Sequence, residues 1–219
     1  MSANCQLIQK SAVRFAKTGA AIYHSHHDML RFWERLVRRA GLPVRLTQGF
    51  NPRPRLVFPH ALGLGIVSRL EEVELELHSR LDNREIQRRL SLASPGAVEI
   101  LEVRGLPPAK GSRQIVASSY RLSGWPGDDS PALGQAAAEL MAKPEIQVER
   151  GAPGEKRRID IRPFIKKLAL DAGSDSLELA VSHTRTGSAR PDEAAKLLAA
   201  AINRDWRDWR IEKTGMRLE

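Results

Sequence analysis

Gln48, Phe50, Asn51, Arg53 and Arg55 fall within one run of eight residues, Gln48-Gly49-Phe50-Asn51-Pro52-Arg53-Pro54-Arg55. Two amides offer donors and acceptors, two guanidinium forks suit phosphate, and an aromatic ring offers a stacking face, which is the set a protein uses on single-stranded nucleic acid. In the competing reading Phe50 fills the core, Asn51-Pro52 makes a turn and the arginines face water. Just upstream, Arg31, Arg35 and Arg38 stand at i, i+4 and i+7, which on a helix is one cationic stripe, and Lys17 adds a further cation. Arginines on the helix and Lys17 would position phosphates, while Phe50 and Asn51 would meet bases.

His24, His26, His27 and Asp28 carry donors that suit zinc, iron or manganese. In an extended run His24 and His26 share a side and His27 faces away, while Ser25-x-x-Asp28 has the spacing of a capping box, so Asp28 is better used at a helix start. The sequence therefore predicts no metal site. Ser25 and Asp28 become structural caps, and His26 becomes the one candidate for general acid–base work or for contact with a substrate. Leu62-Gly63-Leu64-Gly65 lacks the lysine of a phosphate-binding loop and the third glycine of a dinucleotide fingerprint, so it reads as a bend.

These groups sit in the most basic part of the chain. Residues 10–60 hold ten Lys and Arg against Asp28 and Glu34, so +8 of the net charge of +9 lies in one contiguous quarter of the 219 residues. A localised anion-binding surface is the implication, with RNA as the anion. Cys5 is the only cysteine, which excludes an internal disulfide, a thiolate zinc cluster or a cysteine-held iron–sulfur centre made from this chain alone. No apolar run approaches the length of a membrane span and the first residues lack a secretory apolar core, so a cytoplasmic protein without membrane association is expected.

The elements that must position these residues follow from periodicity. Val13–Phe15 and Ala20–Tyr23 read as extended segments around a turn at Lys17-Thr18-Gly19. A helix then runs from Ser25 through Met29, Leu30, Trp33, Leu36, Val37 and Ala40 to Gly41-x-Pro43. Leu42–Leu46 reads as a short strand, and Val73–Leu77 as a half-buried strand that alternates apolar with acidic residues. A helix over Asn83–Leu92 ends at Pro95-Gly96, and Val98–Val103 is a strand. Strand, helix, strand, strand, helix, strand is the order of a ferredoxin-like split βαβ unit. The predicted fold is α+β in two such halves with antiparallel sheets: residues 10–105, a linker at 106–113, and residues 114–219. In the second half the strands are Ile115–Leu122, Ile146–Arg150, Arg158–Ile161, Ile165–Leu170, Leu177–Val181 and Trp209–Lys213, with helices at Pro131–Ala142 and from Pro191 to about Ile202. Lys156-Arg157-Arg158 reads as a solvated hairpin tip, and Trp206 and Trp209 as packing anchors.

Phe15-Ala16-Lys17-Thr18-Gly19 through Ser25-His26-His27-Asp28, then Arg38-Arg39-Ala40-Gly41-Leu42-Pro43, then Gln48-Gly49-Phe50-Asn51-Pro52-Arg53-Pro54, resembles the radical-SAM-associated family of uncharacterised bacterial proteins. Members of that family stand alone or are fused to the C-terminus of a cobalamin-binding radical SAM protein. The resemblance runs densely over residues 10–105, with Gly65, Ser68 and Glu71 downstream, and more weakly through Asp160-Ile161-Arg162-Pro163 and Gly187-Ser188-Ala189-Arg190-Pro191. It implies an accessory role beside a separately encoded radical SAM enzyme, and that partner would carry the iron–sulfur cluster and S-adenosylmethionine. With only Cys5 this chain holds neither a cysteine triad nor a cofactor of its own. Two functions are thus expected. One is a non-catalytic module that binds a transfer or ribosomal RNA, or another anionic substrate, and presents it to the partner. The alternative is a stand-alone RNA-processing enzyme, a metal-independent ribonuclease or a transferase, built on His26 and the Gln48–Arg55 loop.

Overall fold

The computed structural model describes residues 7–94, 96, 98–107, 111, 113–152, 154–171 and 173–219. Cys5, Pro95 and half of the expected linker (Pro108, Ala109, Lys110 and Ser112) lie outside the described residues. The chain is mixed α+β with antiparallel strand pairing, and it divides into two compact units, Met1–Gln114 and Ile115–Glu219. Among the described residues no helix is long and apolar enough to cross a membrane.

In the first unit β1 (Gln9–Lys17) leads through a 3-10 turn, Gly19–Tyr23, into α1 (His26–Arg39). There follow β2 (Leu56–Val57), β3 (Ile66–Leu77), α2 (Asn83–Ala93) and β4 (Val98–Leu106). β1 lies between β4 and β3, and β2 joins the far side of β3, giving the order β4-β1-β3-β2. Val13, Phe15, Val73, Leu75 and Leu77 turn one face of this sheet toward Met29, Trp33, Leu36 and Val37 of α1 and Ile86 and Leu90 of α2. Burying such side chains contributes about 1.5–3 kcal/mol each, and Phe15 sets its ring 5.0 Å from that of Trp33.

α1 ends where Gly41 adopts φ +61, letting Gly41 N–H bond Arg38 O and Leu42 N–H bond Val37 O, both at 3.1 Å. That is a Schellman cap, and glycine reaches its left-handed conformation without the Cβ penalty. Asp82 caps α2 by accepting from Arg84 N–H at 2.8 Å.

Two expected strands are different. Ala20–Tyr23 lies in the 3-10 turn, because the chain must reverse direction within a few residues to deliver Ser25 to the helix start. Leu42–Leu46 is not a regular strand. Val44 bridges Leu77, while Leu46 bridges Pro54 across a fold of the same segment. Leu56 then pairs with Leu75, so residues 46–55 are an excursion inserted into an outer strand that otherwise runs along β3. Pro43, Pro52 and Pro54 lack N–H donors, which suits a strand interrupted in this way.

The opposite face of β1 and β3 carries charge, and the charge is buried. Lys10 Nζ lies 2.8 Å from Glu74, and Arg113 reaches both Glu74 at 2.9 Å and Glu72 at 2.6 Å. Arg104 of β4 meets Glu72 at 2.7 Å. Glu74 is 0% exposed and Lys10 5%. Lys10 Nζ also donates to Gly111 O at 2.5 Å, so Gly111 and Arg113, from the expected linker, lie on this face.

In the second unit the elements are β5 (Ile115–Ser123), α3 (Ser130–Ala142), a hairpin of β6 (Gln147–Arg150) and β7 (Arg157–Asp160), then β8 (Ile165–Leu170). β9 (Ser176–Thr184), β10 (Gly187–Ser188), α4 (Pro191–Ala201) and β11 (Arg210–Leu218) complete it. Its main sheet has the order β11-β5-β9-β8. Tyr120, Leu122, Leu177, Leu179, Leu133, Leu198 and Ile211 are buried. Trp125 and Trp209 meet edge-on at 5.0 Å and both are buried, while Trp206 is half-buried with Lys196 Nζ 4.9 Å from its ring.

Candidate nucleic-acid interface

The stripe is mounted on a helix whose start is fixed by its own side chains. Asp28 N–H donates to Ser25 Oγ at 3.2 Å, Ser25 N–H donates to Asp28 Oδ2 at 3.1 Å, and the Ser25 hydroxyl donates to the same oxygen at 2.6 Å. This is a reciprocal capping box. The Ser25 hydroxyl and backbone hold the Asp28 carboxyl below its usual range. Its contribution to folding is therefore complete above the ordinary carboxylate pKa and is lost as pH falls through the lowered value. Ser25→Ala is expected to cost about 1 kcal/mol, read as a lowered melting temperature. An unchanged melting temperature would remove the capping role.

Arg31, Arg35, Arg38 and Arg39 are exposed on α1, and among the described residues none of them forms an ion pair. Glu34, in the same helix and only 13% exposed, turns to the eight-residue loop, where Arg53 lies 4.0 Å away. The loop closes on itself. Arg55 N–H bonds Arg45 O at 2.8 Å, Thr47 N–H bonds Arg53 O at 2.8 Å, and Arg53 N–H bonds Thr47 Oγ1 at 3.0 Å. These bonds hold the base of a narrow protrusion whose tip is residues 48–52. Gly49 takes φ +133 there, and Phe50 is fully exposed at 106%. Gln48, Asn51, Arg53 and Arg55 are also exposed. Arg55 lies 3.5 Å from Glu76 and shares it with Arg45 at 2.5 Å, so its charge is partly matched within the fold. The core reading of Phe50 is overturned: the ring stands in water at the tip of the loop.

Lys17 does not join this surface. It is 2% exposed at the end of β1, where its Nζ donates to His24 O at 2.9 Å and to Gly63 O at 3.4 Å. Burial lowers its pKa, against the opposing pull of Glu71. A lysine whose donors are spent on backbone carbonyls inside the fold cannot reach a phosphate, so its place in the anion-binding set is withdrawn. The same contacts make Leu62–Gly65 a structural bend, and Gly65 N–H bonds Ile22 O at 2.9 Å, tying it to the 3-10 turn.

The extended geometry expected for the histidines is also corrected. His26 and His27 occupy the first turn of α1, their rings 6.0 Å apart, and His26 sets its ring edge-on to Phe58 at 5.5 Å. Burial, with His27 as a second cause, lowers the His26 pKa, which favours the neutral ring. No side-chain hydrogen bond orients His26 among the described residues, and no group of three or more His, Cys, Asp or Glu there could hold a metal ion.

One polar pair escaped the sequence. Ser118 Oγ and His183 Nε2 are 2.7 Å apart across β5 and β9, and burial, then Lys213, lowers the His183 pKa. The residues are 65 positions apart and neither lies in a motif, so only strand pairing brings them together. Ser118 is 2% exposed, which leaves an incoming electrophile no access to its hydroxyl and makes the pair a satisfied polar contact.

A search of curated proteins returns no match. Among solved structures, one described as an unknown protein from Galdieria sulphuraria aligns over 96% of this chain and 98% of its own, at 13% identity and a TM-score of 0.25, a likeness too slight to carry an argument. A family model matches residues 10–191, and it covers both the arginine stripe and the Phe50 loop. On that match the chain belongs to the family described as an uncharacterized protein conserved in bacteria (DUF2344).

Proposed function

We propose that the first unit binds RNA in single-stranded form, and that the protein is an accessory module presenting this RNA, or another anionic substrate, to a separate radical SAM enzyme. The observation that carries the reading is that the loop bearing the fully exposed Phe50 meets α1 through Arg53 and Glu34, 4.0 Å apart, while four arginines exposed on α1 form no ion pair among the described residues. Exposing a phenylalanine to water is unfavourable, and a base stacked on the ring removes that cost while the arginines meet the flanking phosphates. The strand orders β4-β1-β3-β2 and β11-β5-β9-β8, each with two helices at the matching places in the chain, support a ferredoxin-like reading of both halves. The radical SAM partner rests on the resemblance of residues 10–105 and on the single cysteine, which leaves iron–sulfur chemistry to another polypeptide. A stand-alone nuclease or transferase would need a partner for His26, and the described residues offer none.

The test is Phe50→Ala measured twice on one sample. Stability is expected to stay within about 0.5 kcal/mol of the parent, as for an exposed site. Affinity for a labelled single-stranded RNA is expected to fall by about 1–3 kcal/mol, the worth of one stacked base. Unchanged affinity would retire the stacking role. The parent's own affinity, plotted against salt, should fall with a log–log slope near roughly −3 for about four phosphate contacts. Purification of the native protein with its RNA and a radical SAM protein attached tests the partner.

A further inference from the structure

Beyond Arg35 the stripe continues to Arg39, one turn further along α1, and there it reaches a cleft against α2. This cleft of about 500 Å³ is lined by Arg39 and Ala40 of α1 and its C-terminal cap, and by Arg88, Arg89, Leu92 and Ala93 of α2. Most of that volume is open to solvent, so the site is a shallow groove. Its charge is not balanced from within. Arg88 and Arg89 both bond Glu85, at 2.7 to 2.8 Å, and Arg39 has no ion pair among the described residues. Glu85 is held at a pKa of about 2 by these hydrogen bonds and stays ionised at any ordinary pH. Three guanidinium groups and one carboxylate leave a net charge of +2. Arg89 is further engaged with Gly41 O at 3.2 Å, whereas Arg39 and the outer edge of the Arg88 fork point to no acceptor among the described residues. Beside these cations Leu92 is 76% exposed, although most of the apolar side chains of α2 are buried in the core.

A cationic site with a bare apolar wall matches the two ends of a nucleotide, a phosphate and a flat base. We propose that the cleft holds one nucleotide unit of the bound strand, with Arg39 and Arg88 on its phosphate and Leu92 against its base. The inference rests on the RNA-binding reading for its ligand, and it moves the footprint from α1 and the loop onto α2, outside the most basic quarter of the sequence. A charged protein tail could meet the arginines but would leave Leu92 uncovered.

The test uses the full chain with three probes: a labelled 12-nucleotide single-stranded RNA, AMP and inorganic phosphate. Arg39→Ala combined with Arg88→Ala is expected to lower the salt slope by about 0.7, one phosphate, and to weaken RNA binding about fivefold at 0.1 M salt. Leu92→Ser should weaken binding several-fold with the slope unchanged. AMP should shift the backbone amide signals of Ala40, Leu92 and Ala93 at concentrations where inorganic phosphate does not. If the parent binds RNA and all variants bind it equally well, the cleft is no part of the footprint and the inference falls while the RNA-binding reading stands. If the parent binds no RNA but AMP shifts those amides, the reading falls and the cleft remains a nucleotide site. Polyglutamate that displaces the RNA at matched ionic strength, with no shift from AMP, would give the cleft to an acidic protein and overturn the inference.

Discussion

Glu74→Ala is expected to destabilise the first unit by about 3–5 kcal/mol, the cost of removing one member of a buried ion pair and leaving the other uncompensated. Glu74 is wholly buried, and it is the carboxylate that faces both Lys10 at 2.8 Å and Arg113 at 2.9 Å. Arg113 retains Glu72, but Lys10, itself 5% exposed, keeps only the carbonyl of Gly111. A buried ammonium with no counter-charge either drags water into the sheet face or gives up its proton, and both cost stability. Urea unfolding reads the loss directly. A second variant separates charge from packing: Lys10→Met with Glu74→Leu removes both charges at similar volume and should regain most of the stability, because a buried pair replaced as a unit is near neutral. A loss below about 1 kcal/mol for Glu74→Ala would mean that water already screens this face.

Replacing Arg31, Arg35 and Arg38 together with alanine is expected to reduce the salt slope of RNA binding by about 2, at about 0.7 per phosphate released. Referred to 1 M salt, that change is about 100-fold in affinity at 0.1 M. The three side chains are exposed and form no ion pairs among the described residues, so melting should move little. The discriminating quantity is the slope, since a variant that bound weakly through misfolding would keep the parent's slope on its folded fraction. An unaltered slope would take α1 out of the interface.

α1 is legible in the sequence because two independent local signals coincide in it. The Ser25–Asp28 spacing marks the start, and the period of Met29, Trp33, Leu36 and Val37 fixes the buried side, which leaves the arginines outside. Gly41 and Pro43 mark the end by their backbone chemistry alone. The exposed state of Phe50 is not legible, since a lone phenylalanine among prolines suits a core or a surface equally, and what decides is the inserted position of residues 46–55 against β3. Lys17 misleads for a related reason. It carries the same charge as the stripe arginines, and only the approach of the His24 and Gly63 carbonyls shows where its donors are spent.

The alternation over Val73–Leu77 correctly gives part of a strand, but a half-buried strand puts its acidic groups in water, whereas Glu72 and Glu74 are buried. Their partners Lys10, Arg104 and Arg113 come from distant points of the chain, so the charge pairing that permits burial depends on pairing of β1, β3 and β4. The cleft at Arg39 is invisible in the sequence because its walls come from two helices more than forty residues apart, and no local pattern announces a gap between them.

The excursion at residues 46–55 also bears on how the protein avoids its own kind. Strands at the margin of a sheet present unpaired amide and carbonyl groups that invite a second chain to add itself, and proteins commonly defend them by interruption, charge and proline. Here the marginal strand survives only as the bridge at Val44 and the two residues of β2, with Arg45, Arg53 and Arg55 and three prolines in and around the gap. Cutting out the loop would let Arg45 run directly into Leu56 and heal the strand into a sticky margin. A shortened protein would then be prone to self-association as well as to losing any ligand, and the aggregation would be mistaken for a defect of recognition. The loop is a guard as well as a tool, so its two duties are to be separated by single side chains at its tip, not by its removal.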